Sequence, residues 1–395
     1  MLYLISLSGF TSSIANRSMD PLVSSIAAEF GLPLATAALV ITFFALPYSV
    51  GQPVLGPLGD YYGKGRVLRA CLWVLTISLV FVAWSPNFEV LVAARFVGGI
   101  ASGGLMPVAL AMIADRYPPE IRQQAISRSV AALQTGFLMA ASLSGLLAVV
   151  FNWRGIFLLA LALAASNALL VTIFVHEPPA PKKHIRLSHI VDGYRPIFRN
   201  ARAWVCFAGV FVEGLVLNGC YPYIAPLLTE RGLGGPREAG FIITGVGLGA
   251  LVFTFMVRTL LTIMPRYRLM TAGGALALAG PLALAFPLTW PWLAAAFTLT
   301  GFGYMMVHNS IQVEVSEVAP QSRASAFAMH SCSLFVGTAL GPIYFAAGMG
   351  AFGASSLLMA NAAVMACLGP TISLLLSRLP ANPNPSPAVE QPGQA

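Results

Sequence analysis

The feature that most constrains this chain is a series of long apolar runs, each about as long as a bilayer is thick, separated by short polar breaks. A helix needs roughly 20 apolar residues to cross a bilayer. The runs predict spans at about residues 3–28, 35–58, 67–85, 88–116, 124–150, 154–175, 203–229, 237–260, 268–287, 291–316, 322–349 and 353–378. They are continuous rather than alternating, so helices are expected and a barrel is not. Only 9% of the 395 residues are charged, against about 25% in soluble domains. That excludes a cytosolic enzyme, a nucleic-acid-binding domain and a disordered protein. The expectation is an all-α integral membrane protein with twelve transmembrane helices, its solvent the lipid bilayer.

The net charge of +8 follows topology. In the register of twelve spans, 17 of the 22 Lys and Arg fall in one set of loops. Arg154, Arg231 and Arg237 fall in the opposite set, and Arg17 and Arg95 lie within spans. The positive-inside rule then places both termini in the cytoplasm. Nucleic acid is not implied. The five cysteines all lie within spans and read as small buried residues. Residues 2–10 lead straight into the first span, without the cleavage region of a secretory signal.

The chain divides in the middle. Residues 176–202 are polar, basic and proline-containing, and predict a cytoplasmic linker between an N-terminal six-helix bundle, 1–175, and a C-terminal one, 203–379. The Pro-rich end, 380–395, predicts a disordered tail. A constant shift of 201 residues aligns the halves at several points: Glu29-x-Gly31-Leu32 over Glu230-x-Gly232-Leu233, Pro119-x-x-Arg122 over Pro320-x-x-Arg323, and Gly136 over Gly337. The two bundles are therefore expected to be pseudo-symmetric, and membrane proteins built from such repeats often carry a substrate site near the midplane where the repeats meet.

Between the second and third spans stands Gly56-Pro-Leu-Gly-Asp60-Tyr-Tyr-Gly63-Lys64-Gly-Arg66, which fits G-x-x-x-D-x-x-G-[RK]-x-[RK]. It resembles the signature loop of the major facilitator superfamily. With the twelve spans, two halves and basic linker, the resemblance covers essentially the whole chain. It implies a bacterial efflux-type transporter of the plasma (inner) membrane that works as a monomer and uses no cofactor or metal. In this motif Gly56 and Gly63 would allow close helix approach and a tight turn. Asp60 would accept bonds from a helix N-terminus. Lys64 and Arg66 would pair with a carboxylate, for which Asp115 is the candidate. With Arg122, Glu317 and Arg323 near the same side, these residues form a candidate cytoplasmic gate. Arg95-Phe-Val-Gly98 resembles the family's buried arginine segment, and Asn152-Trp153-Arg154 reads as an interfacial anchor. One departure stands out. Where the family's proton antiporters carry a glycine-proline pattern, the fifth span reads Gly136-Phe-Leu-Met-Ala140-Ala141, without the proline.

Ionisable groups inside spans are the leading functional candidates, because burial makes them costly. Arg17 and Asp20 are three apart and share a helix face. Glu213 stands near the middle of the seventh span, where a carboxylate is expected to be protonated or paired, and it is the first candidate for carrying a proton. His308 and Gln312 are four apart on one face of the tenth span. A histidine exchanges protons near neutral pH. Arg17, Asp20, Arg95, Glu213, His308 and Gln312 are the candidates for protons and substrate. Tyr48, Gln52, Gln134, Asn218, Tyr221 and His330 are candidates for lining a cavity. Glu314 and Glu317, at the basic end of the tenth span, are expected to pair with Arg323 or the nearby basic loops.

The sequence favours proton-coupled export of a small amphipathic or drug-like solute by rocker-switch alternating access. The alternative is a symporter or facilitator taking up a metabolite such as a sugar or organic acid. An enzyme is not expected: there is no H-E-x-x-H, G-x-S-x-G, C-x-x-C or Walker pattern, and Gly348-x-Gly350-x-x-Gly353 reads as a turn between spans because no strand precedes it.

Overall fold

The computed structural model describes residues 1–175, 194–319 and 322–380. Most of the expected linker and the tail beyond residue 380 lie outside the described residues. Among the described residues every regular element is a helix, and they group into twelve spans. These are α1 (Leu2–Arg17, a 3-10 turn at Asp20–Leu22, then Val23–Phe30), α2 (Leu34–Tyr62), α3 (Lys64–Ala83), α4 (Phe88–Arg116), α5 (Pro119–Phe151) and α6 (Arg154–Phe174). The second half holds α7 (Ala201–Glu213, a π-helical segment Gly214–Asn218, then Gly219–Glu230), α8 (Pro236–Ile263), α9 (Arg266–Ala277 and Ala279–Leu284), α10 (Trp290–Val318), α11 (Arg323–Phe352) and α12 (Ala354–Arg378).

Nine of these are long and apolar enough to span a bilayer by length and composition alone. The other three have visible reasons for falling short. In α1 the helix breaks after Arg17, and α9 consists of a 12-residue and a 6-residue piece. The basic end of α10 carries His308, Asn309, Gln312, Glu314 and Glu317. All three pack lengthwise beside spans that do qualify, α1 on α5, α9 on α12 and α10 on α8. The expected single span at 268–287 is thus two joined helices, with Gly280 N–H accepted by Thr300 Oγ1 of α10 at the joint.

The internal duplication is visible in backbone chemistry. Gly31 and Gly232 end the first helix of each half in the left-handed conformation, at φ 63° and 67°. In each case the next residue's N–H reaches back to a carbonyl five residues earlier: Leu32 to Ala27 and Leu233 to Leu228, both at 2.9 Å. This is a glycine-terminated helix cap, repeated at an offset of 201. Gly136 packs on the Phe10 carbonyl of α1, and Gly337 packs on the Phe211 carbonyl of α7, at the same offset.

The halves meet mainly along two seams, α2 against α11 and α5 against α8, which exchange places under the pseudo-symmetry. Thr42 Oγ1 donates to the Ala339 carbonyl at 2.6 Å, and the rings of Tyr48 and Phe335 are 4.3 Å apart. On the other seam a Cβ on Gly145 would meet the Pro236 carbonyl at 2.6 Å. The second half of α1 also packs against α7. These contacts lie toward the side opposite the basic loops, so that side is closed.

Candidate functional site

The break in α1 creates the first polar cluster. Where the helix stops at Arg17, the carbonyls of its last turn lose their partners. Arg95 of α4, 1% exposed, supplies them. Its Nη1 donates to the Ala15 carbonyl at 2.7 Å, Nη2 to Asn16 at 3.4 Å and Nε to Val40 at 3.3 Å. Its guanidinium carbon sits 3.9 Å from the centre of the Phe44 ring. Arg95 therefore finds its partners in the backbone, which ties α4 to α1 and α2. Ser144 of α5 donates to the Ser18 carbonyl at 2.6 Å. Small residues thus persist in α5 where the proline pattern is absent, and one of them supports the bend in α1.

Arg17 and Asp20 form a loose ion pair at 3.5 Å, with side chains 14% and 1% exposed. Arg17 lies over two rings, 5.7 Å from the centre of Phe137 on α5 and 5.6 Å from that of Tyr221 on α7. It thereby touches both halves. Tyr48 stands in the α2–α11 seam, and Gln52 is buried one turn further along α2. Asn218 donates to Thr338 Oγ1 at 3.0 Å and joins α7 to α11. Gln134 is exposed on α5 and stands apart from these clusters.

The second cluster lies inside the C-terminal half. Glu213 Oε2 and His308 Nδ1 are 2.7 Å apart, both buried. The other ring nitrogen of His308 meets the Gln312 amide nitrogen at 3.2 Å. Tyr304 stacks on the imidazole at 5.0 Å, and the His330 ring of α11 is also 5.0 Å away. A carboxylate–imidazole hydrogen bond holds one proton, carried by either partner. The Gln312 amide suits both charge states: its N–H₂ donates to a bare ring nitrogen, and after rotation its oxygen accepts from a protonated one. Glu213 precedes the π-helical segment of α7, and such local widening recurs at functional sites. Close packing accompanies it here: a Cβ on Gly219 would meet Gly341 Cα of α11 at 2.6 Å.

The basic side carries the candidate gate. Gly63 adopts φ 98° between α2 and α3, as a tight turn requires. Lys64 Nζ lies 2.5 Å from Asp115 Oδ2. This is the pairing the sequence pointed to, and it joins α3 to α4 within one half. Gly56 differs from its expected role. A Cβ there would make an ordinary 3.8 Å contact with Pro107, whereas one on Gly51 would meet the Ile100 carbonyl at 2.8 Å, so Gly51 is the closer α2–α4 approach. Arg66 is exposed, Arg122 donates to the Tyr117 carbonyl at 3.0 Å, and Arg323 opens α11. The Asp60 side chain lies outside the described residues.

In the second half Arg266 Nη1 is 3.7 Å from Glu317 Oε1. Both residues are 202 positions after Lys64 and Asp115, so the ion pair is duplicated with the fold. Glu314, fully buried, adds a network that sequence reasoning did not assemble. It pairs with Arg202 at 2.7 Å and with Arg266, and Tyr267 donates to it at 3.1 Å. Arg202 also reaches the carbonyls of Leu376, Leu379 and Pro380 at the end of α12. Glu314 and Glu317 thus pair with arginines of the basic linker and of the start of α9, within the set of basic loops that the sequence pointed to. Trp153 is corrected: it is 2% exposed and donates to Glu29 at 2.5 Å. Together with the Glu29–Arg154 ion pair, this makes the segment a buried tie between α1 and α6 instead of an anchor in lipid headgroups.

A two-bundle helical membrane protein with ionisable groups buried in its spans has the architecture of a small-molecule transporter. A family model described as Major Facilitator Superfamily matches residues 5–342 and 232–394. The chain belongs to this superfamily, whose members are carriers rather than enzymes. It is similar to the MFS-type transporter YwfA of Bacillus subtilis (strain 168), 23% identical over 353 residues, covering 87% of this chain and 85% of that one. It is also similar to a multi-drug resistance efflux pump PmrA homolog of Lactococcus lactis subsp. lactis (strain IL1403), 27% identical over 317 residues, 78% and 76%. Among solved structures it resembles a bacterial homolog of the human lysosomal transporter Spinster in an inward-facing, unoccupied conformation, with TM-score 0.74, 19% identity and coverage of 95% and 96%. The POT family transporter PepTSo gives TM-score 0.77 at 14% identity, covering 95% and 97%.

Proposed function

We propose that this transporter exports a small amphipathic solute in exchange for protons, by alternating access of its two halves. The observation that carries the reading is the buried Glu213–His308 hydrogen bond, which puts a carboxylate and an imidazole, two groups able to take up and release a proton, in contact inside the spans. Efflux pumps among its relatives support the direction. The 17-to-3 charge asymmetry supports placing the basic side and both termini in the cytoplasm of a bacterial cell, with the closed side outward and the protein working as a monomer. In this reading Lys64–Asp115 and Arg266–Glu317 hold the cytoplasmic ends of each bundle in shape while the bundles rock.

The test is solute flux in inverted membrane vesicles under an imposed pH gradient. Accumulation that follows the gradient is expected, and flux indifferent to it would remove proton coupling. Downhill movement alone, or movement with the proton into the cell, would favour the second reading, uptake of a metabolite. That reading draws its support from the absent proline in α5.

A further inference from the structure

We infer that the solute is recognised through a carboxylate, held by Arg17 and Asn16 where the two halves meet. The inference rests on the transporter reading above and adds the chemical class of what is carried.

Three observations on α1 converge. The guanidinium carbon of Arg17 lies over the Phe137 ring and over the Tyr221 ring, one from each half. Ring contacts consume none of the guanidinium's N–H groups, which remain available to a planar oxygen pair. Those groups are little used: the hydrogen bond to Asp20 is 3.5 Å long, at the limit of the interaction. One position earlier in the chain, Asn16 is 5% exposed and its Nδ2 has no hydrogen-bond partner among the described residues. A buried donor without an acceptor is costly. An incoming acceptor would relieve it.

The charges point the same way. The cluster contains two arginines, Arg17 and Arg95, and one carboxylate, Asp20. Arg95 is fixed by backbone carbonyls, and Arg17, 14% exposed, is the cation that an arriving group can reach. A carboxylate balances the excess and accepts from both the Arg17 guanidinium and the Asn16 amide. A cationic group at this place would meet the same excess as repulsion.

The test uses purified protein in detergent and three probes that share one aromatic body: naphthoate, naphthamide and naphthylmethylamine. A ligand that binds the folded state raises the unfolding midpoint with concentration. Naphthoate should raise it, with the amide and amine weaker by about ten-fold or more in apparent affinity. Arg17→Gln should lose the naphthoate response. Asn16→Asp, which puts a fixed carboxylate beside Arg17, should lose it too and serves if the first variant does not fold. An equal or larger response to the amide or amine, no response to naphthoate, or a response retained in either variant overturns the inference. Because no gradient is used, a naphthoate response without gradient-driven flux would sink proton coupling alone, and flux without the response would sink the carboxylate site alone.

Discussion

Glu213 on α7 and His308 on α10 are hydrogen-bonded at 2.7 Å although they are 95 residues apart in the chain. Each is tolerable in the spans because of the other. Glu213→Gln should remove gradient-driven flux, with a loss of about ten-fold or more, while leaving solute exchange at equal pH. His308→Gln should do the same. Exchange and gradient-driven flux measured side by side in vesicles separate this from simple misfolding, which removes both.

The two carboxylates on the basic side should differ in their effect on stability. Glu314→Gln leaves Arg202 and Arg266 without their buried charge partner, a change that costs about 3 kcal/mol or more. Asp115→Asn removes an ion pair whose carboxylate side chain is 65% exposed and should cost about 1 kcal/mol or less. Thermal unfolding of both variants checks the order, and the wild-type difference should shrink little with added salt at Glu314.

Gly31 and Gly232 are both left-handed with open space around a would-be Cβ. Gly31→Ala and Gly232→Ala should therefore each cost about 1 kcal/mol, from backbone strain alone. Similar losses in the two variants, read as shifts in the unfolding midpoint, are the expected result. A loss confined to one would break the equivalence of the two caps.

The seam between α2 and α11 can be fixed. With the five native cysteines replaced, Thr42→Cys and Ala339→Cys should be bridged in the resting protein by a short bifunctional thiol reagent with a cleavable disulfide in its spacer, because the Thr42 hydroxyl reaches the Ala339 carbonyl at 2.6 Å and so brings the two positions close. The cross-link should stop transport and its reduction restore it. Unimpaired flux in the cross-linked protein would show that this seam need not open.

The fold was legible because bilayer thickness sets helix length and because the duplicated Glu-x-Gly-Leu segments carry their cap chemistry in the residues themselves. The buried ionisable groups were legible too: Glu213, His308, Arg17 and Arg95 stand out in apolar runs. Partners close in the chain, such as Asp20 for Arg17, were legible as well, but those on distant helices, such as His308 for Glu213, were not. Which carboxylate meets which cation depends on how each helix is rotated and how far it is slid past its neighbour, and neither leaves a local trace. Arg202 reads as the end of a basic linker, yet the packing of α7 against α10 and α12 turns it inward onto Glu314. Trp153 carries the residue type of a membrane anchor, and only the position of Glu29 shows that its ring is enclosed.

The duplicated ion pairs have grown unequal. In Lys64–Asp115 the carboxylate is 65% exposed and meets the ions of the solution, while Arg266 is shared between Glu317 and the sealed carboxylate of Glu314. Ionic strength therefore acts as a setting on one bundle and barely on the other. A repeat that is symmetric in sequence thus ends in two basic ends of different electrostatic character, one tied by a single exposed carboxylate and the other by a buried one shared between two arginines.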